Sequence, residues 1–271
     1  MKEKNNFVSV VFHKNTPFLK NINFFFDPII VGDSKEDFDD KFHKDNVGDN
    51  ISKKNFSFCE MTAVYYMWKN LNYDSYGLMH YRRIFADYEY SIKLIPYLSK
   101  SLIKKIIGRD YSFDYVVFEK VISKNKLEKV KSKITKLTKF YDIILPKKTV
   151  LNITVKDHFI KYHGTSFFKI VSEIIYSESE NDYKFFIEFF NSKKMHCYNM
   201  FIMNNQYFNE YCEWVFNLLF KIEKKIDFST LNNYDRRIIG FIAERLLNVF
   251  IYKKSKENTV KIKELSVIYN L

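Results

Sequence analysis

The stretch Asp74-Ser75-Tyr76-Gly77-Leu78-Met79-His80-Tyr81-Arg82-Arg83-Ile84-Phe85 reads as a short buried strand over Tyr76–Met79 that runs into a polar cluster of His80, Tyr81, Arg82 and Arg83. In open α/β sheets the loops at the carboxyl ends of the strands converge on the ligand crevice, so a cluster placed there is a candidate site. Two adjacent arginines form a fork for phosphate oxygens. They suit equally a basic strand end that pairs locally, one of them with Glu60.

Working outward, Phe7–Phe12 is an apolar, β-rich run with His13 and Lys14 at its carboxyl end. Ile29–Val31 is a second short strand, and Asp33–Asp49 an acidic loop. Ser57, three residues before Glu60, predicts a capping box for a helix over Cys59–Asn70. Ser91–Ile107 predicts an amphipathic helix, and Tyr115–Phe118 and Asp142–Pro146 two strands. Lys124–Phe140 suits a helix or a strand pair. The second half turns helical, over Phe159–Ser177, Asp182–Asn191, Gln206–Ile226 and Tyr234–Val249. A strand at Cys197–Met203, a turn at Asn204-Asn205 and short strands at Val260–Leu265 and Val267–Tyr269 complete the chain. Alternating strands and helices predict an α/β fold with a mostly parallel sheet, covered by a helix-rich second half.

With 271 residues, 46% of them hydrophobic, the chain can bury a sizeable core as one domain. Its formal charge of +12 favours anionic partners. The charge concentrates in Lys100–Lys148, which reads as a solvated helical face or as a membrane-surface patch. In the second case each lysine near an anionic leaflet contributes about 1 kcal/mol. Nucleic acid is not the expected partner, because no base-stacking signature accompanies the lysines. Cys59, Cys197 and Cys212 lack metal or disulfide spacing and read as reduced residues of a cytoplasmic protein. Neither a signal peptide nor an apolar span of about 18 residues is evident.

The chain contains no Walker loop, GxGxxG, HExxH or GxSxG motif. His158 and His163 are five apart, unsuited to one helical face. The acidic cluster Asp37-Phe38-Asp39-Asp40 falls in a loop rather than after a strand, so a tightly bound metal is not implied. What remains is polar residues at strand ends: His13 and Lys14, Asp49 and Asn50, His80 to Arg83, Asn199, and Asp235 to Arg237 with Glu244 and Arg245.

Six blocks carry a resemblance. They are Gly48–Ser52 with Asn55 and Cys59-Glu60, Trp68-Lys69-Asn70, Gly77–Arg83, Ile144-Leu145-Pro146, Asn199–Ile202 and Arg237–Leu247, in that order. Together they resemble the bacterial capsular and exopolysaccharide glycosyltransferase family that includes galactofuranosyltransferase-like enzymes, over roughly residues 7–270. The resemblance implies a GT-A-like fold, a UDP-sugar donor, a glycan or lipid-linked glycan acceptor, and inverting chemistry. It divides the single domain into a nucleotide-sugar-binding half, 1–150, and a helix-rich acceptor and catalytic half, 151–271.

The family carries His-Tyr-Arg-Arg where many GT-A enzymes carry a metal-binding acidic motif. The resemblance therefore implies that arginine neutralises the leaving diphosphate and that a divalent metal is not required. It places His13, Lys14, Asp49, Asn50, Lys54, His80, Arg82 and Arg83 at the donor, and His163 and Asn199 at the donor sugar or acceptor. An inverting transfer needs a carboxylate to take the acceptor proton. Asp235 is the first candidate and Glu244 its rival. The expected setting is the cytoplasm, with peripheral attachment to the inner membrane through the basic middle. The competing expectation is a non-catalytic basic binding or scaffold protein of a polysaccharide assembly complex.

Overall fold

The computed structural model describes residues 5–32, 38–87, 111–112, 116–119, 122–257 and 260–270. Thirteen strands are described: β1 (Asn6–Phe12), β2 (Asp27–Ile30), β3 (His43–Lys44), β4 (Ser75–His80), β5 (Arg83–Phe85), β6 (Tyr111–Ser112), β7 (Val116–Glu119), β8 (Ile143–Pro146), β9 (Thr149–Leu151), β10 (Lys194–Met195), β11 (Phe201–Asn204), β12 (Ile262–Leu265) and β13 (Val267–Asn270). The helices are α1 (Pro17–Ile22), α2 (Asn55–Phe58), α3 (Met61–Asn70), α4 (Lys124–Leu137), α5 (Val155–His163), α6 (Thr165–Glu178), α7 (Glu180–Phe190), α8 (Asn205–Glu223) and α9 (Ile238–Lys256).

The main sheet runs β12-β8-β11-β4-β1-β2-β3, with β5, β7 and β13 attached at its side. It is mixed and mostly parallel: β3, β2, β1 and β4 run together, as do β8 and β12, and β7 and β13. β11 runs antiparallel between β4 and β8. A small second sheet joins β6, β9 and β10.

Apolar side chains cover both faces, which is why β1 and β4 read as mostly hydrophobic rather than alternating runs. From β1, Phe7 and Val11 enter one core and Val8, Val10 and Phe12 the other. From β4, Tyr76 and Leu78 enter the first and Met79 the second. The larger core is closed by α3 and α5 to α9, the smaller by α1 and α4. Because β11 is antiparallel, its start lies beside the ends of β4 and β8, with the end of β1 next to β4. Four chain segments therefore meet at one end of the central strands.

Several local expectations are corrected. Ser57 does not cap a helix; it is buried inside α2, and the chain breaks at Cys59 (φ 52°) before α3 begins at Met61. Asn55 Nδ2 and Thr62 Oγ1 both donate to the Cys59 carbonyl and hold that break. The helix expected over Phe159–Ser177 is two, α5 and α6, divided at Gly164 (φ 96°). The strand expected from Cys197 begins only at Phe201, because Tyr198 (φ 80°) and Asn199 (φ 51°) leave the extended region. Asn204 makes no free turn; its side chain accepts from Tyr207 N and caps α8 directly. Residues 33–49 are not all loop, since β3 pairs with β2. A 3₁₀ turn at Asp235–Arg237 precedes α9. Lys124–Phe140 resolves into α4, capped by Ser123. The helix expected over Ser91–Ile107 and residue Tyr115 lie outside the described residues.

Candidate active site

The carboxyl ends of β1 and β4 open into a cleft of about 900 Å³. β1 delivers His13 to it, and the β4–β5 turn delivers His80, Tyr81, Arg82 and Arg83. α2 and the break after it supply Asn55, Phe56, Cys59 and Glu60. Cys197 and Tyr198 enter from the segment before β11. The opposite wall is built by His158, Tyr162 and His163 of α5, the turn Asn233–Arg237, and Gly240, Phe241, Glu244 and Arg245 of α9.

Positive φ at non-glycine residues is costly and tends to cluster at functional sites. Among the described residues the non-glycine cases are Cys59, Tyr198 and Asn199. The first two line the cleft, and the third holds one of its carboxylates. Asn199 is buried, and its Nδ2 donates to Glu60 Oε1 (2.8 Å) and to the Gly240 carbonyl (3.3 Å). Tyr198 N donates to Glu244 Oε1, and the Tyr198 carbonyl lies 2.6 Å from His80 Nε2. Asn248 of α9 fastens the same segment through His196 N and O and the Glu244 carbonyl. Gly240 packs closely here: an added Cβ would sit 3.0 Å from Cys59 Cβ and Sγ, which would have to give way. Without a side chain there, the first turn of α9 closes onto the α2–α3 break.

Arginine dominates the charge. Among the described residues, five arginines line the cleft against two carboxylates, Glu60 and Glu244. Arg82 is exposed, with its guanidinium 5.3 Å from the centre of the Tyr81 ring. Arg83 lies 4.6 Å and 5.0 Å from the Tyr198 and Tyr269 ring centres. Arg237 Nε donates to Cys59 Sγ (3.5 Å), with the guanidinium 5.2 Å from the Phe241 ring centre. Arg245 is nearly fully buried and paired with Glu244 Oε2. Glu244 is thus engaged at both oxygens, whereas the recorded bond to Glu60 uses only Oε1.

Two of the cleft histidines, His80 and His163, have pKa values lowered by burial. Burial, aided by the charges of Arg83 and Arg82 and opposed by Glu60, lowers the His80 pKa. A carbonyl can only accept, so neutral His80 donates from Nε2 to Tyr198 and keeps a lone pair on Nδ1. Burial, with Arg245 and His158 nearby, lowers His163 to about 3. Its ring stacks on Phe241 (4.4 Å between centres) and on Tyr234 (6.1 Å). Burial and the charge of Glu60 raise the Cys59 thiol to about 11, against the opposing effect of Arg237.

Of the residues singled out from sequence, His13, His80, Arg82, Arg83, His163 and Glu244 line the cleft. Lys14 stands beside it, with Nζ 5.9 Å from the Tyr81 ring centre. Asn199 lies behind it on Glu60. Asp49, Asn50, Lys54 and Asp235 are not among the lining residues. Asp49 is tied to Tyr65 and Asn70, Asn50 to Gly48 O and Ser52 N, and Lys54 to Glu223 (2.6 Å). Asp235 Oδ2 accepts from Asn232 Nδ2 (2.6 Å). Sequence reasoning did not single out Glu60, Tyr198 or Tyr234 as site residues, and it grouped Arg237 with the polar residues at strand ends without giving it a role. Glu60 lay in a quoted block, but its spacing from Ser57 directed it to a cap. Among the described residues, no group of three His, Cys, Asp or Glu side chains has metal-binding geometry.

A family model described as "Domain of unknown function (DUF4422)" matches residues 8–256. No curated protein matches the chain. Among solved structures, the apo structure of the WbbM bifunctional glycosyltransferase is similar, at 26% sequence identity with a TM-score of 0.78. The likeness covers 98% of this chain and 45% of that one, so the chain spans less than half that relative's length. The architecture is the GT-A-like α/β fold, a mixed and mostly parallel sheet flanked by helices.

Proposed function

This chain belongs to the DUF4422 family, and we propose that it is a glycosyltransferase, moving a sugar from a nucleotide-sugar donor to a glycan or lipid-linked acceptor. The observation that carries this reading is the arginine-rich cleft at the carboxyl ends of β1 and β4, in a chain similar over nearly its full length to a glycosyltransferase. The donor is a UDP-sugar, with galactofuranose or another hexose as the transferred unit. The product enters a capsule, exopolysaccharide or lipopolysaccharide.

In this reading the donor diphosphate lies against Arg82, Arg83 and His13, with Lys14 at the rim. As the glycosidic bond breaks, charge gathers on the leaving diphosphate. Guanidinium groups already oriented there stabilise it without reorganisation. Arg82 and Arg83 supply that charge themselves, and a divalent metal is not required.

The acceptor hydroxyl gives its proton to a carboxylate as it attacks the anomeric carbon with inversion. Glu60 is the proposed base. Asn199 orients one of its oxygens, while Oε2 has no hydrogen-bond partner among the described residues. Glu244 lines the same cleft, yet both its oxygens are already engaged. Asp235 is the more distant alternative, tied to Asn232. Among the described residues no helix is long and apolar enough to cross a membrane. The proposed route to a lipid-linked acceptor is peripheral attachment through α4.

The test is UDP titration by calorimetry, followed by turnover of a UDP-sugar panel with EDTA present. Wild-type protein should bind UDP, and Arg82→Ala should weaken binding by about tenfold or more, the scale of one charge-assisted hydrogen bond. No UDP binding would favour the scaffold reading. Turnover lost in EDTA and restored by manganese would overturn the arginine-for-metal role.

A further inference from the structure

The donor as proposed leaves one wall of the cleft without a task. That wall carries Tyr162, Tyr234, Arg236 and Arg237. Tyr234 is 50% exposed and Tyr162 37%, large exposures for aromatic rings lining a cleft. Tyr234 is the outer member of a stack, its ring 13° from parallel with His163, which lies 25° from Phe241. A rigid ring backed in this way offers a flat apolar surface at low entropic cost, the kind of surface on which the C–H face of a sugar ring packs.

Charge adds a second, independent observation. The two arginine groups stand on different elements, Arg82 and Arg83 on the β4–β5 turn, Arg236 and Arg237 on the turn before α9. Glu60 and Glu244 lie between them: Glu60 acts electrostatically on both His80 and Arg237, and Glu244 on both Arg83 and Tyr234. Five arginines against two carboxylates leave an excess of three positive charges among the described lining residues. A sugar-linked diphosphate brings about two negative charges, so one guanidinium stays uncompensated with the donor in place. Arg236 and Arg237 both stand on this wall, their Nε atoms held by the Phe228 carbonyl and by Cys59 Sγ, and among the described residues the terminal nitrogens of neither have a hydrogen-bond partner. Arg237 is the one set against the stack, its guanidinium 5.2 Å from the Phe241 ring centre.

We propose that Tyr234 and Arg237 form the acceptor subsite, and that this subsite selects an acceptor sugar bearing an anionic substituent, a carboxylate or a phosphate. The sugar ring packs on Tyr234, its anion pairs with Arg237, and its nucleophilic hydroxyl comes to the carboxylates between the two arginine groups. The subsite rests on the reading of the cleft as a glycosyl-transfer site.

The experiment compares 4-nitrophenyl hexoside, hexuronide and 6-phosphohexoside as ligands and as acceptors. Binding is read by saturation-transfer and shift-titration NMR on the protein without donor, and transfer by kcat/KM with the best UDP-sugar. The wild-type protein should favour at least one anionic glycoside over the neutral one by about tenfold in both readouts. Which anionic glycoside wins tells carboxylate from phosphate. Arg237→Ala should abolish the preference through KM, leaving UDP affinity within about twofold; Arg237→Lys should restore part of it. Tyr234→Ala should weaken neutral and anionic glycosides alike.

Equal binding of all three glycosides to wild-type protein would overturn the proposal. So would Arg237→Ala weakening UDP as much as Arg82→Ala, which would assign this wall to the donor. Failure of the function reading looks different. UDP would not bind, while the NMR comparison, which needs no donor, would still decide whether the subsite prefers an anion.

Discussion

Glu60 and Glu244 differ in what their oxygens already hold, and that difference separates the proposed base from a strut. A proton acceptor needs an available lone pair, and Glu60 Oε2 offers one. Glu244 accepts from Tyr198 N and pairs with Arg245, whose side chain is 4% exposed. Glu60→Gln should therefore keep UDP affinity and lower kcat by about 10² or more, the range of a lost general base. Glu244→Gln should instead destabilise the fold by roughly 3 kcal/mol, because removing one partner leaves a buried guanidinium uncompensated. Steady-state kinetics with urea denaturation of both variants checks the pair. Full turnover in Glu60→Gln would return the base to Glu244 or Asp235. Sequence spacing could not rank these groups, since the strain at Cys59 that turns Glu60 toward Asn199 is a backbone property no motif records.

At the scale of elements, α4 carries the proposed membrane contact, which is separable from the cleft. Leu127, Val130 and Ile134 bury one face on the sheet, while Lys124, Lys129, Lys131 and Lys136 are exposed on the rest. Phe24, 65% exposed, lies near its start, where Lys124 Nζ is 4.4 Å from the ring centre, and Phe140, 67% exposed, follows its end. Basic residues interspersed with exposed aromatics suit an anionic bilayer. Replacing Lys124, Lys129, Lys131 and Lys136 by Gln should reduce sedimentation with phosphatidylglycerol-containing vesicles by about tenfold or more at low salt, with UDP affinity unchanged. Equal sedimentation of this variant and wild type would remove α4 as the contact. The helix itself follows from the lysine–apolar pattern once Ser123 is recognised as its cap. The pattern alone left a strand pair open because its apolar spacing is mixed.

The whole molecule stores an acid sensitivity in its buried histidines. Burial lowers His163 and His196 to about 3, from an ordinary 6.5. Below pH 6.5 the unfolded chain takes up both protons while the folded chain does not, so protons stabilise the unfolded state. Stability should fall as pH drops from about 6.5 towards 3, with a slope approaching about 3 kcal/mol per pH unit for the two groups together. His163→Phe, which keeps a ring in the stack, should lower that slope by about 1.4 kcal/mol per pH unit between pH 6 and 5. Denaturant midpoints across this range measure it, and an unchanged slope would show that His163 is not held neutral.

Much of the architecture was legible in the chain by itself. Largely apolar runs at Phe7–Phe12 and Tyr76–Met79 point to buried strands, and the position of His80 to Arg83 after such a strand placed them at a crevice. These features depend on local periodicity and on the side-chain alternation of a strand, which a sequence carries directly. Tertiary structure alone decided which distant residues share the cleft with them. Glu60, Tyr198, Arg237 and Glu244 meet because an antiparallel β11 returns its start to the ends of β4 and β8, and because Gly240 lets α9 close on the break at Cys59. The bonds of Glu60 to Asn199 and of Cys59 to Arg237 join residues 139 and 178 positions apart, fixed by packing and by positive-φ backbone rather than by any local pattern. The arginines at the end of β4 were visible as charges; what makes their surroundings a two-sided site is the helix that folds over them.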